Sequence, residues 1–404
     1  MKKSVSQLAS VYNGRFEQLL LSTDEAIILS GQKTEMMKML EDSEQAESRR
    51  KLLMVEELAN KQREVAATAE NNFMHEIESQ FHSTLIPALE KRFNDVDDML
   101  YKVLDFDLAI GKLLDVLYTE SCSISRLVQC IEQVKWLEIS ILKFVRQPKY
   151  RRVDSQGHPV ILKTISSALS FIGIESLRSL IPVLIAKHCM PPHSEFTPDL
   201  QKHLWLYTIG TGNIAKALAA KRGIKPHFGF NLGLLSNIGR SIIATMYLRS
   251  FDDTLRERII DARKRNNPVQ AKALAALKPS HRYLMSLWNR HASQITSDIF
   301  NKLGCKWLLI GMGFQDYIAI RSISYKFLEE HNLHPLTKLL FNAQGYMQFK
   351  MMQSHKLMSK EASMLYLRNF GIKSDDVALV TKINLTGIEL KIAESAPEDT
   401  QTPS

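Results

Sequence analysis

Between Gly31 and Gly111 the chain contains no glycine and a single proline, Pro87, while Glu, Lys, Gln, Ala, Leu and Met dominate. That is the composition of helix, with almost nothing in eighty positions to break one. From Phe73 onward apolar residues recur at Ile77, Phe81, Leu85, Leu89, Phe93, Val96, Leu100 and Val103, which places them on one helical face. The steps are mostly four residues rather than alternating three and four, so a long heptad coiled coil fits poorly. Pro87 is expected to kink or divide the helix, because it lacks the amide hydrogen that the ladder needs. A stripe this long must be covered, either by the protein's own next domain or by a partner or second copy. Residues 41–51 are polar all round and read as a solvated helical face or connector.

Charge divides the chain at about the same place. Residues 1–100 carry 12 Lys/Arg against 18 Asp/Glu, whereas residues 101–404 carry 40 against 25. The basic part therefore has either an anionic partner or the acidic N-terminal region to attract. With 404 residues and 45% hydrophobic content the chain can bury a sizeable core. Its four cysteines, Cys122, Cys130, Cys189 and Cys305, show no Cys-x-x-Cys spacing, which argues against a zinc site or a disulfide framework and for a reducing cytoplasm. Lys2 and Lys3 are not followed by a continuous apolar core, so no export signal is expected. The most membrane-like window, Phe228 to Leu248, is interrupted by Asn231, Asn237 and Arg240 and reads as two buried core segments rather than a span.

Beyond Leu104 the pattern becomes a series of compact helices. Leu113, Leu117, Ile124, Leu127, Ile131, Val134, Leu137, Ile141 and Val145 recur at helical intervals, and the serine of Thr119-Glu120-Ser121 is placed to cap the second helix. A basic turn or loop from Arg146 to Gly157 and Pro159 precedes the next block. There Ile165 to Gly173 is expected to end tightly at its glycine, with Leu177 and Leu180 opening the buried face of the following helix. Pro191, Pro192 and Pro198 force a connection before a helix near Leu200. Residues 377–392 are β-rich by propensity and predict at most a short terminal strand pair, and Glu394 to Ser404 have the composition of a disordered tail.

Three of these segments carry a resemblance. Ile165 to Gly173 with Leu177-Arg178-Ser179-Leu180, then Leu204-Trp205-Leu206-Tyr207-Thr208 with Ala215, Ala217 and Ala219, then Gly233-Leu234-Leu235-Ser236-Asn237-Ile238-Gly239, occur in the order found in HDOD domains. These are HD-related output domains of bacterial signalling proteins. The resemblance implies an all-α, HD-like multi-helix bundle over residues 104–320. It leaves an N-terminal helical region (1–103), a mostly helical C-terminal extension (321–393) and a tail (394–404).

The departures from the HD frame bear on function. Where HD phosphohydrolases hold a metal with a His-Asp pair, this chain has Ser236 and Asn237; where the frame offers a His after the tryptophan, it has Tyr207. The later paired-His segment falls near Phe314-Gln315-Asp316-Tyr317. A neutral hydroxyl and amide do not replace an imidazole and a carboxylate at a metal centre. The expectation is a pseudoenzyme: no catalytic residue, metal or cofactor, and a signalling role through a protein partner or homodimer contact. Tyr207, Ser236 and Asn237 would line a vestigial cleft or serve as capping and buried hydrogen-bonding groups. The alternatives are a metal-dependent HD-type phosphohydrolase with atypical ligands and a nucleic-acid-binding regulator acting through basic surfaces.

Other candidates are weaker. His188, His193 and His203 with Cys189 straddle a proline-rich stretch and have no ligand pair at one-turn spacing, and His281 and His291 are ten residues apart. Gly210-Thr211-Gly212 lies inside a helical run without a preceding strand, so a dinucleotide loop is unsupported. Lys143, Arg146, Lys149, Arg151 and Arg152, interleaved with Phe144 and Tyr150, form a candidate anion-binding surface, and residues 249–290 add ten Lys/Arg against four Asp/Glu. A solvated face or docking onto the acidic N-terminal helices competes with that reading. No helix-turn-helix or RNA-binding signature favours nucleic acid.

Overall fold

A computed structural model describes residues 5–32, 54–150, 152–153, 159–160, 162–318, 320, 333–388 and 390. The architecture is all-α. The N-terminal part consists of α1 (Val5–Leu21), α2 (Thr23–Leu29) and the long α3 (Met54–Phe93), followed by one π-helical turn (Asp98–Val103). Then come α4 (Ala109–Tyr118), α5 (Ile124–Ile131), α6 (Lys135–Val145), α7 (Ile165–Ile172), α8 (Ile174–His188), α9 (Leu200–Lys221), α10 (Pro226–Leu235), α11 (Ile238–Lys264), α12 (Pro268–Ala275) and α13 (His281–Leu303). The chain continues through α14 (Gly311–Tyr317), α15 (Pro335–Ser354), α16 (Lys360–Asn369) and α17 (Ser374–Val380).

The stripe on α3 is covered by the protein itself. Ile77, Phe81, Leu85, Leu89 and Phe93 are buried, and the helix packs on α11, α12 and α13. Phe81 meets Phe251 edge-on at 4.8 Å, and His82 stacks on Tyr283 at 3.7 Å. The stripe starts one turn later than its periodicity suggests, since Phe73 remains 39% exposed. Pro87 does not divide α3, contrary to expectation. It lies on the exposed side, and Ser83, whose carbonyl loses its amide partner, is exposed too, so water can satisfy the orphan acceptor. Residues 41–51 and 394–404 lie outside the described residues.

Several local expectations are met with a shift of detail. The serine that caps α5 is Ser123, which accepts from the Arg126 amide, and not Ser121. Gly173, at φ 77°, ends α7 and lets α8 leave at once in a new direction, 113° away. The basic segment after α6 forms a 3-10 turn (Pro148–Tyr150) and a two-residue antiparallel pair, Arg152–Val153 with Pro159–Val160. The β-rich 377–392 stretch forms no strand among its described residues: it starts inside α17 and continues in turns. Asp376 in the first turn accepts from the Lys373 amide and pairs with Lys221 at 2.7 Å, and Val380 is buried, so capping and burial override β propensity. The Phe228–Leu248 window is split between α10 and α11, and no single described helix is long and apolar enough to cross a membrane.

The centre of the bundle is the crossing of α9 with α10, with α15 packed against both. Ala215 and Ala219 are buried against α10, where a Cβ at Gly229 would stand 2.4 Å from the Ala215 carbonyl oxygen. The two glycines that frame the heptapeptide do equivalent work at two different contacts. A Cβ at Gly233 would lie 2.6 Å from the Thr211 oxygen of α9, and one at Gly239 2.0 Å from the Ala292 oxygen of α13. Gly239 also donates its amide to Thr296 Oγ1 at 3.1 Å.

Two outcomes follow from this packing. Gly239→Ala must push two helix backbones apart and is expected to cost about 2–3 kcal/mol in urea unfolding, whereas Gly14→Ala on α1, with open space around it, gains up to about 1 kcal/mol. His82 is neutral in the fold: its Nδ1–H donates to the Glu78 carbonyl at 2.9 Å and its Nε2 accepts from the Tyr247 hydroxyl at 2.9 Å. Burial holds its pKa below 6.5, as it does for His188, His203 and His227. Protonation therefore favours the unfolded chain, and stability falls as pH drops below 6.5. The urea midpoint should decline over that range, and His82→Gln should be less stable at neutral pH but show a shallower decline.

Candidate functional site: a buried polar network at the HD position

Tyr207, Ser236 and Asn237, the candidate residues of the sequence, do come together, from the body of α9 and the junction of α10 with α11. Tyr207 is fully buried in α9. Ser236 is the C-cap of α10 and Asn237 the N-cap of α11, so the heptapeptide is a helix junction. Asn237 makes no side-chain capping bond, so its polar group serves the interior instead.

Each is held by a specific partner. Ser236 donates to the Gly233 carbonyl at 2.8 Å and accepts from Gln344 Nε2 of α15 at 3.1 Å. The Tyr317 hydroxyl of α14 donates to the Oε1 of the same Gln344. Tyr207 accepts from Gln348 Nε2 at 3.0 Å, and Tyr366 of α16 donates to Gln348 Oε1 at 2.6 Å. Asn237 Oδ1 accepts from Arg240 Nη1 at 2.9 Å, and this bond fixes the orientation of the amide. The Arg240 guanidinium also sits 5.8 Å from the centre of the Tyr207 ring.

The counter-charge comes from the far end of the sequence. Glu17 on α1 is 1% exposed and approaches Arg240 Nη2 at 3.9 Å, while Asn289 of α13 donates to its Oε2 at 2.9 Å. Beside it Phe16 packs on the Tyr207 ring at 4.8 Å, and Leu19, Leu20 and Leu21 are buried. Helix α1 is thus the lid of the polar centre. It is locked further by Thr23, whose amide and hydroxyl both donate to Asp199 at the start of α9, at 2.8 and 2.7 Å.

Electrostatics follow from burial. Desolvation raises the Glu17 carboxyl to about 7, against the opposing pull of Arg240, Asn289 and Asn13. Desolvation likewise pushes the Tyr207 hydroxyl up to about 12, and raises Tyr317 and Tyr366 as well. These phenols stay neutral at physiological pH and act as hydrogen-bonding groups. Burial also raises all four cysteine thiols, with Cys305 at about 12, so none is an activated nucleophile.

An HD-type metal ion does not fit this donor set. A divalent cation needs convergent lone pairs, ideally with negative charge. Here Asn237 Oδ1 accepts from a guanidinium, Asn237 Nδ2 and Arg240 Nε are donors without a partner, and Glu17 Oε1 is the network's acceptor without a hydrogen bond. The one carboxylate, Glu17, is weakly acidic and already faces a fixed positive charge.

The remaining candidates are dispersed. His188 stacks on Trp136 at 3.7 Å and bonds the Leu104 carbonyl, His203 donates to the Leu19 carbonyl at 2.7 Å, and His193 is exposed. His281 bridges Glu25 and the Phe196 carbonyl, whereas His291 bonds Glu90. Gln315 is exposed and Asp316 accepts from the His334 amide, so Tyr317 is the member of that segment that enters the network. Lys143 and Arg146 are exposed at the end of α6, with Phe144 and Tyr150 in contact at 4.4 Å; the side chains of Lys149 and Arg152, and all of Arg151, lie outside the described residues.

The network supports one test of its own. Because the folded state prefers protonated Glu17, its stabilising contribution is present below 4.5 and is lost as pH rises through about 7. Glu17→Gln should therefore gain stability relative to the parent as pH rises through that value, read by urea unfolding; a pH-independent difference would mean that Glu17 is not buried as described.

Residues 107–285 match the family model of the HDOD domain. A search of curated proteins found no match. Two solved structures from Shewanella amazonensis SB2B are similar. One is a candidate phosphohydrolase with 17% identity and a TM-score of 0.40, covering 70% of this chain and 92% of that one. The other is a candidate metal-dependent phosphohydrolase with 14% identity and a TM-score of 0.39, covering 72% and 98%. The segment order, the helix junction at Gly233–Gly239 and the family match agree over residues 107–285, which are similar to the HDOD domain.

Proposed function

We propose that the protein is a regulatory, signal-transducing HDOD protein that works by binding a protein partner and does not hydrolyse phosphoesters. The observation that carries this reading is the Arg240 guanidinium bonded to Asn237 where the HD frame would place a metal ligand. Catalysis by an HD centre depends on a bound cation that activates water. A fixed positive charge and the two unpartnered donors beside it, Asn237 Nδ2 and Arg240 Nε, oppose a cation there. The glycine contacts and the α9–α10 crossing preserve the scaffold, so what this domain retains is shape.

The N-terminal helices belong to the same reading. Their lid over Tyr207 and Arg240 links α1 to the centre of the domain, and a partner that engages α1 or α2 would act on that centre directly. Removing residues 1–100 would strip α1 and the α3 stripe from the core, so point variants are the appropriate probes.

Purified protein supplied with manganese is expected to show no turnover of cyclic nucleotides or of bis(p-nitrophenyl) phosphate above the buffer rate, and a defined protein should co-purify in stoichiometric amount. Hydrolysis abolished by a chelator and by Asn237→Ala would overturn the proposal in favour of an atypical phosphohydrolase.

A further inference from the structure

A second feature lies away from the polar network, in a cleft of about 560 Å³ between α4, α5 and the end of α13. Its walls bring together four cations from three helices and a loop: Lys112 on α4, Arg126 on α5, Lys302 on α13 and Lys306 in the loop that follows. Lys112 and Lys306 are exposed and have no ion-pair partner among the described residues. Arg126 spends one nitrogen on the Ser121 carbonyl at 2.9 Å, and Lys302 pairs with Asp97 at 2.7 Å. Lys112, Arg126 and the Cys130 thiol all line this cleft.

The rim carries an aromatic ring in an unusual setting. Gly304, in the left-handed conformation at φ 63°, ends α13 and turns the chain into a short loop. Asp115 of α4 then pins that loop by accepting from the amides of Lys306, Trp307 and Leu308 at 2.6, 2.8 and 3.0 Å. The backbone is fixed, yet the Trp307 indole is 63% exposed, and Leu108 across the rim is also exposed. Tryptophan is seldom left so open without a use. Asp115, the one carboxylate among the lining residues, is held by these three amide bonds and is outnumbered by the four cations.

We propose that this cleft binds a nucleoside phosphate, with the phosphate held by Lys112, Lys306 and Arg126 and the base stacked on Trp307. The size is that of a small-ligand site, and an anion joined to a flat apolar ring matches both halves of the lining. The proposal is independent of the metal-free reading of the HD position, since the two sites share no residue.

The test is isothermal titration of the full chain with ATP, AMP, inorganic phosphate and a thymidine oligonucleotide, without added metal. Saturable binding of ATP or AMP, tighter than phosphate, is expected. Lys112→Glu with Lys306→Glu should weaken it by roughly tenfold or more, and Trp307→Ala by roughly tenfold for the nucleotides while leaving phosphate unchanged. All three positions are exposed, so circular dichroism should show unchanged folding. Absence of saturable nucleotide binding, binding indifferent to these substitutions, phosphate bound as tightly as ATP, or an oligonucleotide preferred over ATP would each overturn the proposal.

Discussion

A guanidinium placed inside a protein has to be surrounded by acceptors and a counter-charge, because the cost of removing it from water is otherwise several kcal/mol. Arg240 imposes that demand on this fold. Asn237 supplies the acceptor from the same helix end, Tyr207 offers its ring, and Glu17 brings a carboxyl group from α1 whose ionised form Arg240 favours and burial opposes. Helix α1 packs against α9, α13, α15 and α16, and its leucines are buried there. Gln344 and Gln348, one turn apart on α15, close the network from the other side by reaching Ser236 and Tyr207, and they draw in Tyr317 and Tyr366.

Much of the scaffold was legible in the sequence because it rests on local rules. The four-residue steps from Ile77 to Phe93 required one buried helical face. Pro87 misled because its effect depends on which side of the helix it occupies, and the 377–392 stretch misled because a capping carboxylate and a buried valine outweigh β propensity.

The site was only half legible. Tyr207, Ser236 and Asn237 were identified by their place in a pattern, and Arg240 was within reach of the same reasoning, being one helical turn beyond Asn237. Glu17, Gln344, Gln348 and Tyr366 were not, since nothing local in the sequence joins position 17 or 366 to position 240. Their recruitment is a tertiary event, set by how α1, α15 and α16 pack on the bundle. The charge asymmetry pointed to such an attraction in aggregate, and the Glu17–Arg240 and Glu90–Arg290 pairs are examples of it.

On the proposed reading the Arg240 side chain, and not a metal ion, supplies the positive charge beside Asn237. Calorimetric titration of chelator-treated protein with Mn²⁺ and Zn²⁺ at neutral pH tests that most directly. The account predicts no one-to-one binding that depends on Ser236 or Asn237. Stoichiometric binding that is abolished by Asn237→Ala would contradict it.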